Sequence, residues 1–138
     1  MRRTPPVING SCLCGRLRYE IEGAFEGMVN CHCSMCRKHH GAAFATFALT
    51  AATQFRWLAG ESEVARFESS PGMFRTFCPV CGSNAPIVSG DSVYVPAGNL
   101  DDDPGIAPEM HIYVNSKAPW HVIADQLPQF AEEPPPPG

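Results

Sequence analysis

The sequence lacks the features that charged or lipid partners require. It has no block of Lys or Arg, and its formal net charge is −4 over 138 residues, so we expect no binding to nucleic acid or to membranes. Its longest weakly polar run, residues 41–52, is too short to cross a bilayer. The charged start is not followed by an apolar segment, which argues against a signal peptide. A cytoplasmic location is the default expectation, and cysteines there stay reduced.

Short segments of alternating polarity predict a mainly β fold. Leu17, Tyr19 and Ile21 alternate with polar or charged residues, as in a half-buried strand. The 14 prolines and 12 glycines provide many turns and leave little room for long helices. Further strands are predicted at 43–49, 54–58, 63–69, 73–78 and 109–114, with a hairpin at 86–98 that turns near Gly90-Asp91.

One short helix is predicted near residues 35–40, with Ser34 as its N-cap and Gly41 at its end. The chain length suits one domain. We expect a flexible N-terminus over 1–7, a single zinc domain over 8–130 and a disordered Pro-rich tail over 131–138.

Seven cysteines fall into three clusters, at residues 12–14, 31–36 and 78–81. Such clustering in a cytosolic protein favours metal binding over disulfides. Disulfides would leave one cysteine over, and neighbours in a Cys-X-Cys pair are poorly placed to bridge each other. A redox role for the last pair is the weaker alternative, because that motif lacks the βαβ context of thioredoxin-like proteins.

The cysteine count divides into four plus three. Zinc takes four protein ligands in structural sites and usually three plus an exchangeable one in catalytic sites. We therefore predict two zinc ions per chain, the second held less firmly and partly absent from purified protein. The alternative division joins the three cysteines of the middle cluster to one cysteine elsewhere. It is less favoured because it leaves an odd number of cysteines, one from one pair and two from the other. The predicted ligands are Cys12, Cys14, Cys78 and Cys81 at the structural site, and Cys31, Cys33 and Cys36 at the second site.

A histidine could supply a fourth ligand to the three-cysteine site. His39 and His40 follow its last cysteine by one helical turn, so either could reach back. His32 lies between two ligands and points elsewhere in an extended chain, and His111 and His121 are remote candidates. Exposed or hydrogen-bonded roles are commoner for any single histidine. Whether His39 or His40 closes the site stays open at this point.

Three thiolates suit thiol chemistry better than hydrolysis. They leave Zn²⁺ with a net charge of about −1, which makes it a weak Lewis acid for water. A soft thiol in the fourth position would be held as the reactive thiolate. The predicted reaction is therefore addition of a small thiol to a carbon electrophile, or its release.

Glutathione, the commonest cytosolic thiol, carries two carboxylates that need local positive charge. Arg37 and Lys38 follow the second cluster directly and are the first candidates to bind them, with Arg75 or Lys117 as further ones. An ordinary solvated basic surface is the alternative reading of each residue.

The motifs GSCLCG, CHCSMCRKHHGAAF, FCPVCGS and AGNLDDDPGIAPEMHIYVNSKAPW together resemble the glutathione-dependent formaldehyde-activating family, which includes centromere-protein-V-like domains. The resemblance covers roughly residues 8 to 130. It implies an Mss4-like fold, a β-tent of small sheets stapled by zinc, and the same division of the cysteines. It also implies joining of formaldehyde and glutathione to S-hydroxymethylglutathione, a carbon–sulfur lyase activity. Trp120 matches the family pattern too, and we expect it to pack in the core or anchor a loop.

The leading hypothesis is thus a zinc-dependent carbon–sulfur lyase that acts on a thiol adduct. A non-catalytic zinc module that binds a protein partner is the main alternative, and it requires a closed or metal-free second site. A thiol-based zinc or redox sensor is the third, in which oxidation of the three cysteines releases the metal. The sequence leaves the oligomeric state and the electrophile unspecified.

Overall fold

A computed structural model of the chain describes residues 6–135. Within that range it contains ten strands, one α-helix and four 3₁₀ turns, which confirms the predicted mainly β class and the single short helix. The strands are β1 (Val7–Ser11), β2 (Arg18–Glu22), β3 (Gly27–Cys31), β4 (Ala45–Ala51), β5 (Phe55–Ala59), β6 (Ala65–Ser70), β7 (Met73–Phe77), β8 (Ile87–Ser89), β9 (Ser92–Pro96) and β10 (Met110–Ile112). The helix α1 is Ser34–His40, and the 3₁₀ turns are Ala52–Gln54, Glu61–Glu63, Ala97–Asn99 and Val114–Ser116.

The strands form three small sheets. Their orders are β1-β2-β5, β10-β3-β4-β9-β8 and β6-β7. The strand pairs are antiparallel except for β10 with β3, which is parallel. This parallel pair places Ile112 opposite Cys31, so a late strand lies beside the start of the middle cysteine cluster.

The main core lies between the three-stranded and five-stranded sheets. Tyr19 and Ile21 point inward from β2 and pack with Ala48, Val93 and Val95 from β4 and β9. The predicted alternation along β2 is thus realised as a buried face. Each fully buried aliphatic side chain contributes about 1.5–3 kcal/mol.

Two strands were missing from the sequence prediction. β1 reads VINGS, which contains poor strand formers, but Gly10 is required there because an added Cβ would lie 2.3 Å from Cζ of Tyr19. β3 reads GMVNC and is buried on both faces, so it shows no alternation. β1 pairs with β2, the next strand along the chain, whereas β3 also pairs with β10, which is distant in sequence.

The late strands and Trp120 agree only in part with the sequence prediction. The hairpin turn at Gly90-Asp91 joins β8 to β9 as predicted. The last strand ends at Ile112 rather than Val114, because Tyr113 adopts a left-handed conformation with φ 56°. The prediction that Trp120 packs in the core is wrong, since the residue is 70% exposed, while its alternative role as a loop anchor stays a prediction.

The C-terminal segment lies along β10. His111 N donates to Pro128 O, Phe130 N donates to His111 O, and Tyr113 N donates to Glu132 O. Ordered contacts therefore reach past residue 130, although the domain limits at 8 and 130 remain predictions. Residues 1–5 and 136–138 of the predicted flexible ends lie outside the described residues. No helix within residues 6–135 has the length and apolarity to cross a membrane.

Candidate metal centres

Two tight turns bring four cysteines together. Gly15 N donates to Cys12 O in the first turn, and Gly82 N donates to Cys78 O in the second. Both glycines have positive φ, 82° and 78°, which an L-residue adopts only with strain. Leu13 N donates to the Ser83 hydroxyl over 2.9 Å and so ties the two turns to each other.

The four sulfurs fit a tetrahedral zinc ion. They lie within 4.8 Å of one another, with Cys12 and Cys14 Sγ separated by 3.6 Å and Cys14 and Cys78 Sγ by 3.7 Å. A tetrahedral site with Zn–S bonds of about 2.3 Å requires sulfur–sulfur distances of about 3.8 Å. Leu17 N donates to Cys12 Sγ over 3.2 Å, as expected for a thiolate acceptor. The Ser83 hydroxyl lies 3.3 Å from Cys81 Sγ and lowers the pKa of that thiol to about 5.

The second cluster joins the end of β3 to the start of α1. Cys31 ends the strand and Cys36 lies in the first turn of the helix. The N-cap is Cys33, whose Sγ accepts from Cys36 N over 3.2 Å, and not Ser34 as predicted. Gly41 ends the helix as predicted, with φ 60°. Since a sulfur replaces the usual capping oxygen, the helix start and the cluster are one structure.

The three sulfurs also fit a zinc ion. Cys31, Cys33 and Cys36 Sγ lie within 4.8 Å of one another, and Cys31 and Cys36 Sγ are 3.4 Å apart. Their mutual hydrogen bonds lower the pKa of Cys33 far below the ordinary thiol value and raise that of Cys31 above it. A cation would replace the shared protons. The donor chemistry of both clusters is therefore consistent with zinc.

No fourth protein ligand joins the second cluster in the described part of the chain. The ligand atoms that come together there are the three sulfurs alone, without His39 or His40. The ring of His40 instead packs edge-on against Phe47, with centroids 5.4 Å apart. The predicted four-plus-three grouping is thus what the fold brings together in space, while the role of each group remains a prediction.

His32, which lies between Cys31 and Cys33 in sequence, belongs to a series of hydrogen-bonded side chains. Its Nε2 lies 2.8 Å from His111 Nδ1, and His111 Nε2 lies 3.0 Å from Asp125 Oδ2. Because the carboxylate must accept, His111 donates through Nε2 and accepts from His32 through Nδ1. Burial is the largest cause that lowers the pKa of His32, to about 4, and the ring is therefore neutral at pH 7. These hydrogen bonds anchor the Cys31–Cys33 segment to β10 and the C-terminal region.

Arg75 on β7 contacts the second cluster. The sequence offered it only as a further candidate for binding the substrate carboxylates. Its Nη1 donates to Cys36 Sγ over 3.4 Å and its Nε donates to Ser69 Oγ over 3.2 Å. Only 6% of the residue is exposed. Arg75 is the one charged residue of β7 (MFRTF), but the sequence alone cannot assign that residue to a site.

The other predicted basic contacts lie elsewhere. Arg37 Nε donates to Ser116 O over 3.0 Å, and Lys117 Nζ donates to Ala118 O over 3.1 Å. Neither residue lines the cavity beside the three sulfurs, and Lys38 does not line it either. A role for Arg37 and Lys38 in binding substrate carboxylates remains a prediction.

A cavity of about 310 Å³ adjoins the three-cysteine cluster. All three cysteines and Arg75 line it, together with apolar side chains from β3, β4, β8 and β10. Tyr113, the residue with φ 56°, also lines it, and its hydroxyl donates to Glu133 Oε1 over 3.2 Å. A small molecule in this cavity would lie beside the three-cysteine cluster. Sequence reasoning did not predict the cavity, because its walls come from strands far apart in the chain.

Comparison with known proteins gives a family match and a structural match. The family described as "Glutathione-dependent formaldehyde-activating enzyme" matches residues 7–116. The fold is similar to a crystal structure of a Rhodobacter sphaeroides protein, with a TM-score of 0.58 and 22% sequence identity over 70% of this chain and 92% of that one. At that identity the likeness concerns the fold alone. No curated protein matches the sequence significantly.

Proposed function

The chain belongs to the glutathione-dependent formaldehyde-activating family, and on that premise we propose that it is a zinc-dependent carbon–sulfur lyase. Its substrate is a thiol adduct of the S-hydroxymethylglutathione type. One observation carries the proposal: three clustered sulfurs face a cavity, and no fourth protein ligand joins them within residues 6–135. A purely structural zinc site would be closed by four protein ligands.

The two clusters have different roles in this proposal. Cys12, Cys14, Cys78 and Cys81 hold a structural zinc that clamps the first turn to the second, and its binding contributes directly to folding. The second zinc is held by Cys31, Cys33 and Cys36 and keeps one position open. When bound, this zinc stabilises the substrate sulfur as a thiolate.

The reaction conserves atoms and electrons without a further reactant. The thiol RSH and formaldehyde combine to RS–CH₂–OH: a carbon–sulfur bond forms, the carbonyl π pair moves to oxygen, and the thiol proton ends on that oxygen. The reverse reaction breaks the same bond. The cavity holds the carbonyl carbon close to the sulfur, which raises the effective concentration of the two reactants.

The remaining parts of the proposal concern partners and location. The partner is a small thiol such as glutathione, in a cytoplasm that supplies it in reduced form. The non-catalytic zinc module and the thiol-based sensor are the alternatives.

The test measures the exchange of formaldehyde with glutathione. Two-dimensional exchange NMR gives the rate in the presence of protein loaded with two zinc ions. We expect exchange to exceed the uncatalysed rate and to fall to that rate in Cys33→Ser, while Ser34→Ala beside it retains the acceleration. Absence of acceleration by the loaded wild-type protein would favour the zinc module. Reversible zinc release by mild peroxide, with no acceleration, would favour the sensor.

A further inference from the structure

The cavity beside the three sulfurs has mainly apolar walls. Val29, Phe47, Ile87 and Ile112 line it from the five-stranded sheet, and Met35 and Met73 line it from α1 and β7. Its volume of about 310 Å³ corresponds to roughly ten water molecules at about 30 Å³ each. Formaldehyde has two non-hydrogen atoms and would leave most of this space unfilled.

The two charged residues of the cavity wall already have partners. Arg75 donates to Cys36 Sγ and to Ser69 Oγ, and Glu133 accepts from the Tyr113 hydroxyl. Arg37 and Lys38 lie outside this wall. Arg75 is thus the one cation among the described wall residues, and its Nε and Nη1 are already bonded to Ser69 and Cys36, while Glu133 would repel the carboxylates of glutathione.

From this wall we infer that the site prefers a sulfur that carries an apolar group of several carbons, such as a phenyl ring or a short alkyl chain. The inference rests on the proposed function, since the three cysteines must hold a zinc that accepts the substrate sulfur. The apolar group contacts Val29, Phe47 and Ile112, and a peptide portion such as that of glutathione stays outside the cavity. The driving force is burial of apolar surface, which distinguishes this preference from recognition by charge.

The apolar group can come from the thiol or from the aldehyde. In the second case RSH and R′CHO combine to RS–CH(OH)R′, with the new carbon–sulfur bond and the transferred proton as for formaldehyde. Both sources place R or R′ within one or two bonds of the bound sulfur, so the same wall selects either.

The first arm of the test measures thiol binding to protein whose second site holds Co²⁺, by the change in its visible spectrum. Three thiols are compared: phenylmethanethiol, 2-mercaptoethanol and glutathione. The first two are both primary thiols of similar acidity, so a difference between them reports on the group that the sulfur carries. We expect phenylmethanethiol to bind at least about tenfold more tightly than either polar thiol. Saturation-transfer NMR should also show the phenyl protons in contact with the protein, a readout that does not depend on activity.

Two isosteric variants locate the preference. Val29→Thr places a hydroxyl in the cavity wall and should weaken phenylmethanethiol binding by about fivefold to tenfold, with little effect on 2-mercaptoethanol. Val88→Thr is the matched control, since Val88 is 56% exposed and does not line this cavity.

The second arm holds glutathione constant and compares benzaldehyde with formaldehyde, each as the ratio of catalysed to uncatalysed exchange. A higher ratio for benzaldehyde assigns the apolar group to the aldehyde, and selectivity in the first arm alone assigns it to the thiol. Glutathione that binds as tightly as phenylmethanethiol, together with equal aldehyde ratios, would overturn the inference but leave the proposed function intact. A cobalt spectrum that no thiol changes would overturn both.

Discussion

Arg75 Nη1 donates a hydrogen bond to Cys36 Sγ over 3.4 Å, from a side chain that is nearly buried. The arginine forms no salt bridge with a carboxylate in residues 6–135. A buried cation without a partner would be costly. Three thiolates around Zn²⁺ would carry a net charge of about −1, so a zinc ion bound as proposed would leave the cluster with the counter-charge that Arg75 otherwise lacks.

Arg75→Met should therefore weaken zinc binding at the second site by about tenfold or more, the range found when outer-shell partners of metal ligands are removed. Competition with a chromophoric chelator measures the affinity, and native mass spectrometry counts the ions. The four-cysteine site should keep its zinc.

Arg66→Met is the matched control, because Arg66 lies on the same hairpin but stacks on Phe74 with 4.2 Å to the ring centroid. Arg75→Lys should restore part of the affinity through its charge. Equal zinc affinity in Arg75→Met and wild type would refute the charge-balancing role.

Replacement of one ligand at each site should have unequal effects on stability. Cys78→Ser removes a fully buried ligand of the four-cysteine site and should abolish cooperative folding, because a structural zinc supplies on the order of 10 kcal/mol. Cys33→Ser should leave a cooperative thermal transition. Circular dichroism melting, with zinc stoichiometry measured on the same samples, distinguishes the two. Similar losses in both variants would show that the second zinc is structural as well.

Gly82→Ala should destabilise the protein by about 1–2 kcal/mol, because φ at this position is 78° and an L-residue there is strained. An added Cβ meets no atom within 4 Å, so the cost is one of backbone conformation and not of collision. Urea unfolding of zinc-saturated protein measures it.

Gly98→Ala provides the comparison, since that position also has open space but no positive φ. Its effect should stay within about 0.5 kcal/mol. If the two variants unfolded at the same urea concentration, backbone strain at Gly82 would not be a factor.

The grouping of the cysteines could be predicted from the sequence, but the residues that surround Cys31, Cys33 and Cys36 could not. Spacing and count were sufficient for four plus three, because zinc coordination limits the choices. Local alternation revealed β2, and a turn signal located the β8–β9 hairpin. By contrast β3 is buried on both faces, and Arg75 reaches Cys36 across 39 residues. Such contacts depend on sheet order, which no local pattern contains.

Stability should fall as the pH is lowered from about 6.5 to 4, because burial lowers the pKa of His40 to about 4. In this window the unfolded chain binds a proton that the folded protein does not, and the unfolded state is therefore favoured as pH falls. His40 Nε2 is buried, with no hydrogen-bond partner in the described part of the chain, so Phe can replace the ring. His40→Phe should reduce the slope of unfolding free energy against pH by up to about 1.4 kcal/mol per pH unit.

Urea unfolding at pH 7, 6 and 5 under saturating zinc gives the slope, with Ser34→Ala on the same helix as control. His32, whose pKa is also lowered to about 4, should keep a residual slope in His40→Phe. An unchanged slope in that variant would show that His40 takes up its proton without unfolding.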